Sequence, residues 1–426
     1  ENQRGIYVDG EMNRNTTQYN IPYVMDFKDM DVEKLKEALI TVVNAHPYLK
    51  THFAVREGDI VQLRLDDDPV IVSVTELKEE PTASFFQQRV VPFNLTEGPL
   101  YRMEIYKSPA STWLFVDIHH TVYDGGSSLI FRRDLESVLA GEQIEKETYT
   151  AFDRALAEEK FWHSEQCEEA EKHFDSLLMG AETTVYPHST AHIGEAVQHV
   201  QSIDVPNVDV TSFCRKNSVT ESNYFLSMLI SLLHRITRED NVLITTIHHG
   251  RTDMRMMNEM GMFVKTQPVV SSMTKEQAVV TTISAIAKQV QQQMLDAQSR
   301  DIYTFTKMVE RYGIRAEIMF AFQSAGDAEA TKEEKENDFS LDLDTAKLPL
   351  SVTVISNGSN NYKLSLEYDN SLYSDKDMRI LCKMLVNAFT YGVTSKSLSE
   401  IPLVTGEDKD AVFEISTGKD LDIDIT

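Results

Sequence analysis

The spacing of apolar positions predicts alternating helices and strands in the first half of the chain. Between residues 31 and 46, apolar side chains recur every three or four positions, as on the buried face of a helix, and Pro47 predicts its end. Apolar, β-branched segments predict strands at 51–55, 60–65, 70–74, 100–106 and 113–118. Further helices are predicted over 84–91, directly after Asp124, and along 152–178. Residues 1–22 are polar and aperiodic, so we expect them to be irregular.

The same alternation continues in the second half. Strands are predicted at 197–203, 242–249, 263–270, 350–355 and 362–368. Helices are predicted at 208–216, 223–236, 275–298 and 375–391. The charged run 332–338 predicts a solvated loop. The pattern as a whole predicts an α/β (α+β) fold with two lobes of similar size.

Charge and composition exclude some partners. The 426 residues include 41 basic and 67 acidic side chains, a formal net charge of −26. This balance argues against binding to nucleic acid or to an anionic membrane surface. No apolar run approaches the roughly 20 residues that span a bilayer, and no signal peptide is recognised. We therefore expect a cytoplasmic protein, and because the chain starts at Glu1 and not at Met, we also expect it to be a piece of a longer one.

The positions of the three cysteines bear on disulfide bonds, metal binding and the cellular compartment. Cys167, Cys214 and Cys382 lie far apart in the sequence. Their spacing predicts neither a disulfide framework nor a metal site, and it favours a reducing compartment.

Reactive side chains are concentrated where the predicted strand 113–118 ends. His119 and His120 are followed by Asp124, Gly125 and Gly126, and then by a predicted helix. A histidine has an unperturbed pKa of about 6.5, which suits proton transfer near neutrality. The two glycines allow a tight turn and close approach of a substrate. Taken alone, such a pair of histidines is more often part of a solvated turn, so other motifs have to decide.

A second, similar stretch contains His248, His249 and Asp253. Met254 stands where the first stretch has Gly125, which leaves less room for a substrate. We expect this stretch to be structural or to line the acceptor side of a site. The sequence shows no dinucleotide-binding or phosphate-binding glycine motif, and Ser127 has no nucleophile-elbow context.

Together these motifs resemble the condensation domains of nonribosomal peptide synthetases. The hallmark of that family, His-His-x-x-x-Asp-Gly, is complete from His119 to Gly125. A second family motif, Gly-x-Phe-Val-Asn-Thr, appears at 261–266 with Lys265 in place of Asn. A third appears at 45–53, where Pro47 and Lys50 replace the usual Glu and Arg, and an early motif appears in part at 2–7. The resemblance therefore spans nearly the whole chain.

The resemblance implies an architecture and a set of partners. It implies two lobes like chloramphenicol acetyltransferase set in a V, with residues 1–175 carrying the hallmark loop, residues 176–395 forming the second lobe and 396–426 leading to an adenylation domain. Upstream and downstream peptidyl carrier proteins would present donor and acceptor thioesters on phosphopantetheine arms. The acceptor amine would attack the donor thioester to form a peptide bond. No cofactor or metal bound to the domain itself is implied.

The resemblance also assigns roles to residues. The implied catalytic residues are His120, His119, Asp124 and Gly125. His120 would act as a general base or as a positioning and stabilising group, whereas His119 would have a structural role. Asp124 would hold the loop through a salt bridge, for which Lys50 is a candidate partner. The residues implied to be structural or tunnel-lining are Gly126, Gly261, Phe263 and Lys50.

Three other functions share part of this pattern. An epimerization domain carries the same hallmark, but Ile247 stands where that group has a Glu. A stand-alone acyltransferase of the same superfamily would use a soluble thioester. A degenerate domain that only recruits partners would keep the fold without the chemistry.

Overall fold

The computed structural model of the chain describes residues 1–13, 16–188, 197–206, 208–323, 339–341, 347–358 and 360–406. The predicted loop 332–338 and most of the predicted linker lie outside these residues. Among them the helices are α1 Asn2–Met12, α2 Val32–Ala45, α3 Ala83–Gln87, α4 Gly125–Leu139, α5 Ala151–Phe161, α6 Glu165–Leu178, α7 Val210–Asn217, α8 Glu221–Thr237, α9 Lys275–Val280, α10 Ile283–Gln298, α11 Phe305–Tyr312 and α12 Asp375–Gly392.

The strands alternate with these helices, as the sequence predicts. In the described residues they are β1 Asn20–Asp26, β2 His52–Arg56, β3 Asp59–Leu63, β4 Ser73–Glu76, β5 Tyr101–Lys107, β6 Thr112–His119, β7 Gln198–Val205, β8 Asn241–His248, β9 Lys265–Ser272, β10 Ile318–Gln323, β11 Phe339–Ser340, β12 Leu350–Ser356 and β13 Tyr362–Asp369. No described helix is both long enough and apolar enough to cross a membrane.

The first lobe is built on a sheet whose described strands have the order β11-β1-β6-β5-β4. Every residue of β6 is buried, in keeping with its aromatic and β-branched sequence. Antiparallel pairing with β1 extends from Asp26 opposite Trp113 to Asn20 opposite His119. On its other edge β6 pairs with β5. The end of β6, where the paired histidines lie, is therefore held by a strand on each side.

The second lobe has a sheet with the described strand order β7-β13-β12-β10-β8-β9. Strand β10 is parallel to both β8 and β12, and the outer strands pair antiparallel. Helix α8 contacts α10 and α12 as well as β8 and β10. Because it has neighbours on several sides, its residues from Asn223 to His234 are all buried.

Segments of the second half also pack into the first lobe. Met256, Met260 and Phe263 belong to the hydrophobic core that includes α2 and α4. Strand β11 pairs with β1 of the first sheet. The predicted lobe boundaries at 175 and 395 stay predictions, and residues from both halves meet at the end of β6.

Three predictions about individual elements are wrong. Residues 1–22 were expected to be irregular, but they contain α1 and the start of β1. In α1 only Tyr7 is buried, so the helix has little apolar periodicity. Strand β1 contains Pro22, and a proline within a segment argues against a strand. The predicted helices 152–178 and 275–298 are each interrupted, because Ser164 and Thr282 cap the second helix of each pair.

The site where the two halves meet

Asp124 lies where the loop after β6 ends and α4 begins. It is the N-cap of that helix, with an extended backbone. Its Oδ1 accepts hydrogen bonds from the Ser127 backbone N–H and hydroxyl, both at 2.8 Å. A carboxylate in this position satisfies an N–H group that has no partner within the helix, and it favours the helix dipole. The local sequence therefore supplies the cap with which α4 begins directly after the histidine turn.

Arg251 forms a two-point salt bridge with the same carboxylate. Its Nη1 lies 3.0 Å from Asp124 Oδ2, and its Nη2 lies 2.8 Å from Oδ1. The backbone N–H groups of Phe263 and Val264 donate to Oδ2 at 2.9 and 3.1 Å. Burial acts to raise the pKa of Asp124, but the charge of Arg251 and these hydrogen bonds outweigh it and hold the pKa below its ordinary value. Asp124 is thus an ionised anchor.

Lys50 is not the partner of Asp124. Its Nζ donates to Asn44 Oδ1 at 2.9 Å and to the Asp66 carbonyl at 2.7 Å. These contacts tie the end of α2 to the segment after β3. The sequence interpretation assigned Asp124 a salt bridge but named the wrong cation.

His120 has a defined ring orientation. Its Nδ1 lies 2.8 Å from the Tyr123 carbonyl oxygen. Because a carbonyl only accepts, Nδ1 carries the proton and Nε2 holds the free lone pair of the neutral ring. Its backbone N–H donates to the Tyr19 carbonyl at 2.8 Å. Burial, followed by the positive charge of Lys347, lowers the pKa of His120. The neutral form, which can accept a proton, is therefore favoured near neutrality.

His119 faces the interior of the first lobe. Its Nδ1 accepts the Thr121 backbone N–H at 3.3 Å and lies 2.8 Å from the Thr121 hydroxyl. Its ring packs against Tyr19 and Phe93. Burial and then the neighbouring His120 lower the pKa of His119 to about 3. Its contacts are those of a neutral, packed side chain.

The two glycines of the loop face different surroundings. A Cβ on Gly125 would meet open space, and this residue is exposed at the first position of α4. A Cβ on Gly126 would lie 2.5 Å from Nη1 of Arg251. Gly125 therefore leaves the helix N-terminus accessible, whereas Gly126 leaves room for the guanidinium.

Gly261 and Phe263 connect the second motif to this anchor. The Gly261 N–H donates to the Ser127 hydroxyl at 3.0 Å, and a Cβ on Gly261 would lie 2.9 Å from the Phe263 ring. That ring is buried beneath the Arg251 guanidinium, 4.9 Å away. Phe263 therefore packs against the cation while its backbone N–H binds the anion.

The second histidine pair lies beside Arg251 rather than forming a second loop of the same kind. His248 is buried and accepts the Gly250 N–H at 3.1 Å, whereas Asp253 pairs with exposed Arg255. Gly250 has φ +66°, and a Cβ there would overlap the Phe263 carbonyl oxygen. Sequence reasoning missed Arg251, although its position after the strand and Gly250 was visible.

A family model for the condensation domain matches residues 1–411. The chain belongs to the condensation-domain family. It is 25% identical, over 99% of its length, to surfactin synthase subunit 2 of Bacillus subtilis (strain 168), and it spans about an eighth of that protein, 12%. The first condensation domain of the calcium-dependent antibiotic synthetase, solved with a substrate analogue, has a TM-score of 0.74 and 15% identity, covering 95% of this chain and 98% of that one.

A larger assembly contains the same fold. A four-domain nonribosomal peptide synthetase bound to AMP and glycine has a TM-score of 0.77 and 19% identity over 96% of this condensation domain and 34% of the larger chain. The α/β fold with two lobes predicted from the sequence is confirmed, and the structure is consistent with the predicted V. In this condensation domain the hallmark loop is held by the motif at 261–266 and by Arg251.

Proposed function

We propose that this domain forms peptide bonds in nonribosomal peptide synthesis. The observation that carries the proposal is the ring of His120, which lies on a complete family hallmark with Nδ1–H fixed on the Tyr123 carbonyl. Its Nε2 lone pair is then available to a reacting amine. The loop that holds it is anchored at Asp124 by Ser127 of the first half and by Arg251 and Phe263 of the second half.

The chemistry places modest demands on such a site. The acceptor amine attacks the carbonyl carbon of the donor thioester, a C–N bond forms, and the C–S bond breaks to release the donor thiol. His120 Nε2 takes the proton that leaves the amine, or hydrogen-bonds to it, and the proton passes to the departing thiolate. An α-amino group has a pKa of about 7.7–8.0, so a useful fraction is neutral at physiological pH. Much of the acceleration then comes from holding the two substrates together.

The start of α4 suits the developing negative charge. Gly125 is its first residue and leaves an open approach to the backbone. Free N–H groups and the positive end of the helix dipole stabilise a nearby anion. We assign Gly125 to the approach of the donor carbonyl, whose oxygen becomes negative in the tetrahedral intermediate.

The partners follow from the same proposal. The two substrates arrive as thioesters on the phosphopantetheine arms of upstream and downstream carrier proteins. An adenylation domain lies next to the condensation domain and selects one of the building blocks. The whole assembly works in the cytoplasm.

Single-turnover condensation tests this function. The domain is mixed with its flanking carrier proteins, loaded with a panel of donor and acceptor aminoacyl groups, and product is followed by mass spectrometry. We expect an amide product that requires the domain and falls by about 10²–10⁴-fold in His120→Ala. His163→Ala changes an exposed histidine on the first half of the chain and is the matched control.

Other outcomes would contradict the proposal. Deuterium uptake at the α-carbon of one loaded residue, without amide, would indicate epimerization. Transfer from a soluble thioester alone would indicate a stand-alone acyltransferase. Carrier binding unchanged by His120→Ala, with no product for any pair, would indicate a recruiting domain.

A further inference from the structure

Four buried ionisable side chains meet away from His120, beneath the segment that precedes α5. They are His46 at the end of α2, Asp134 on α4, Glu147, and Glu259 in the stretch between β8 and β9. The side chains of His46 and Glu147 are 2% and 1% exposed, and Glu259 is 4% exposed. They come from parts of the chain far apart in sequence, so no spacing motif predicts them.

His46 is oriented by Asp134. Its Nε2 lies 2.7 Å from Asp134 Oδ2, so this nitrogen donates to the carboxylate. The other nitrogen, Nδ1, is buried without a hydrogen-bond partner and faces Glu147 Oε2 at 3.8 Å. Metal-binding histidines usually have this arrangement, in which a carboxylate accepts from one ring nitrogen and the other nitrogen binds the ion.

Each glutamate is held by one oxygen only. Glu147 Oε1 accepts the Tyr48 backbone N–H at 2.8 Å, and Glu259 Oε1 accepts those of Thr148 and Tyr149 at 3.2 and 3.4 Å. The remaining oxygen of each, Oε2, is buried and has no hydrogen-bond partner. Backbone contacts therefore fix both carboxylates and leave one oxygen of each available to a ligand.

One nitrogen and two carboxylate oxygens thus converge. All three residues place a ligand atom within 4.8 Å of the others. Three buried polar atoms without a hydrogen bond are unfavourable, and the 3.8 Å ion pair between His46 Nδ1 and Glu147 Oε2 is too long to supply one. A cation at their centre would satisfy all three at once.

We propose that His46, Glu147 and Glu259 bind one divalent transition-metal ion such as Zn²⁺, with a water molecule as a further ligand. Imidazole nitrogen and carboxylate oxygen are both zinc ligands. Ligand atoms around a four-coordinate zinc lie roughly 3.3 Å apart, so the 3.8 Å between His46 Nδ1 and Glu147 Oε2 must close by roughly 0.5 Å on binding. Glu145 and Thr148 are exposed, so the site lies one layer beneath the solvent.

The proposed site would also stabilise the hallmark loop. The carbonyl of Glu259 accepts Nη2 of Arg251 at 3.2 Å, and Gly261, two residues later, contacts Ser127. The segment around Glu259 anchors Asp124. A metal bound by Glu259 would therefore link this segment to His46 at the end of α2 and to Glu147 before α5. Its role is structural, and the proposal does not depend on the function of the domain.

Cobalt binding tests the site directly. The whole chain is treated with a chelator, dialysed and titrated with Co²⁺, whose visible absorption reports coordination by protein ligands. We expect one Co²⁺ per chain, displaced by one Zn²⁺, and affinity at least 10-fold weaker in Glu147→Gln and in Glu259→Gln. Asp134→Asn removes the negative charge of the orienting partner and should weaken binding by about 10–100-fold without abolishing it.

The control is Glu145→Gln, which removes the same charge from an exposed position two residues from Glu147. It should bind Co²⁺ as the unaltered protein does. Circular dichroism establishes that each variant is folded, and the rise in melting temperature with Zn²⁺ should be present in Glu145→Gln and absent in Glu259→Gln. Equal Co²⁺ binding by Glu259→Gln and Glu145→Gln, or no cobalt absorption in the unaltered protein, would overturn the proposal.

Discussion

Asp124 and Arg251 lie 127 positions apart in the sequence and form a buried two-point salt bridge at the base of the hallmark loop. The aspartate belongs to the loop that carries His120, and the arginine belongs to the loop after β8. This pair therefore makes the position of the histidine depend on the second half of the chain. The dependence leads to predictions that stability measurements can check.

Removing the cation should leave an uncompensated buried charge. We expect Arg251→Ala to lower the free energy of unfolding by about 3–5 kcal/mol, as in other broken buried pairs. Urea denaturation measures the loss. The matched control is Arg255→Ala, since Arg255 also pairs with an aspartate, Asp253, but at an exposed position where the change should be small. Equal effects of the two substitutions would show that burial of the Asp124 pair does not matter.

The two glycines of the loop should respond differently to the same added methyl group. In Gly126→Ala the new Cβ would lie 2.5 Å from Arg251 Nη1, so we expect the free energy of unfolding to fall by about 1–3 kcal/mol. In Gly125→Ala the methyl group meets open space, and we expect a change within about 0.5 kcal/mol. Thermal unfolding of both variants measures the difference. A larger loss for Gly125→Ala would contradict the packing argument.

These relationships show which part of the site was accessible from the sequence. The strand, the turn and α4 are consecutive, so the polar cluster from His119 to Gly125 could be placed at a strand end by local patterns alone. Arg251 could not be paired with Asp124, because the pairing depends on how the loop after β8 crosses to the first lobe. Lys50, the candidate partner in the sequence, donates to Asn44 and to the Asp66 carbonyl instead.

The same limit applies to the buried cluster around His46. Its three proposed ligands and the orienting Asp134 come from four separate parts of the chain, and their spacing in the sequence matches no metal-binding pattern. Two of the three wrong element predictions have a local cause instead. In each, a single serine or threonine cap divides a helix that apolar periodicity alone would continue. Periodicity identifies the buried face, but it does not identify the end of a helix.

The charge of His46 predicts a dependence of stability on pH in the metal-free protein. Burial acts to lower the pKa of His46, but Asp134 and Glu147 outweigh it and raise the pKa from 6.5 to about 9. A pKa raised on folding gives stability that is fully present below about pH 6.5 and is lost as the pH rises through about 9. Glu259 and Arg133, which pairs with Asp134, are the further ionisable groups at the cluster.

The quantity to compare is the free energy of unfolding of the unaltered protein minus that of His46→Gln, both measured in chelator. We expect this difference to be roughly 3 kcal/mol larger near pH 6 than near pH 10. Urea denaturation across this range gives the difference between the two proteins at each pH, which removes titrations that they share. A difference that stays constant would mean that His46 is neutral throughout.

His120 should set the acid limit of condensation. Burial and the charge of Lys347 lower the pKa of its ring, so His120 is neutral and able to accept a proton down to a pH below 6.5. The ratio of the single-turnover rate of the unaltered domain to that of His120→Ala should therefore be constant from neutrality to about pH 6.5 and should fall only at lower pH. Taking the ratio removes the titration of the acceptor amine near pH 7.7–8.0, because both proteins use the same substrate. If the ratio already falls between about pH 8 and pH 7, the pKa of the His120 ring is not lowered. The ring would then be solvated or close to a carboxylate, contrary to the structure.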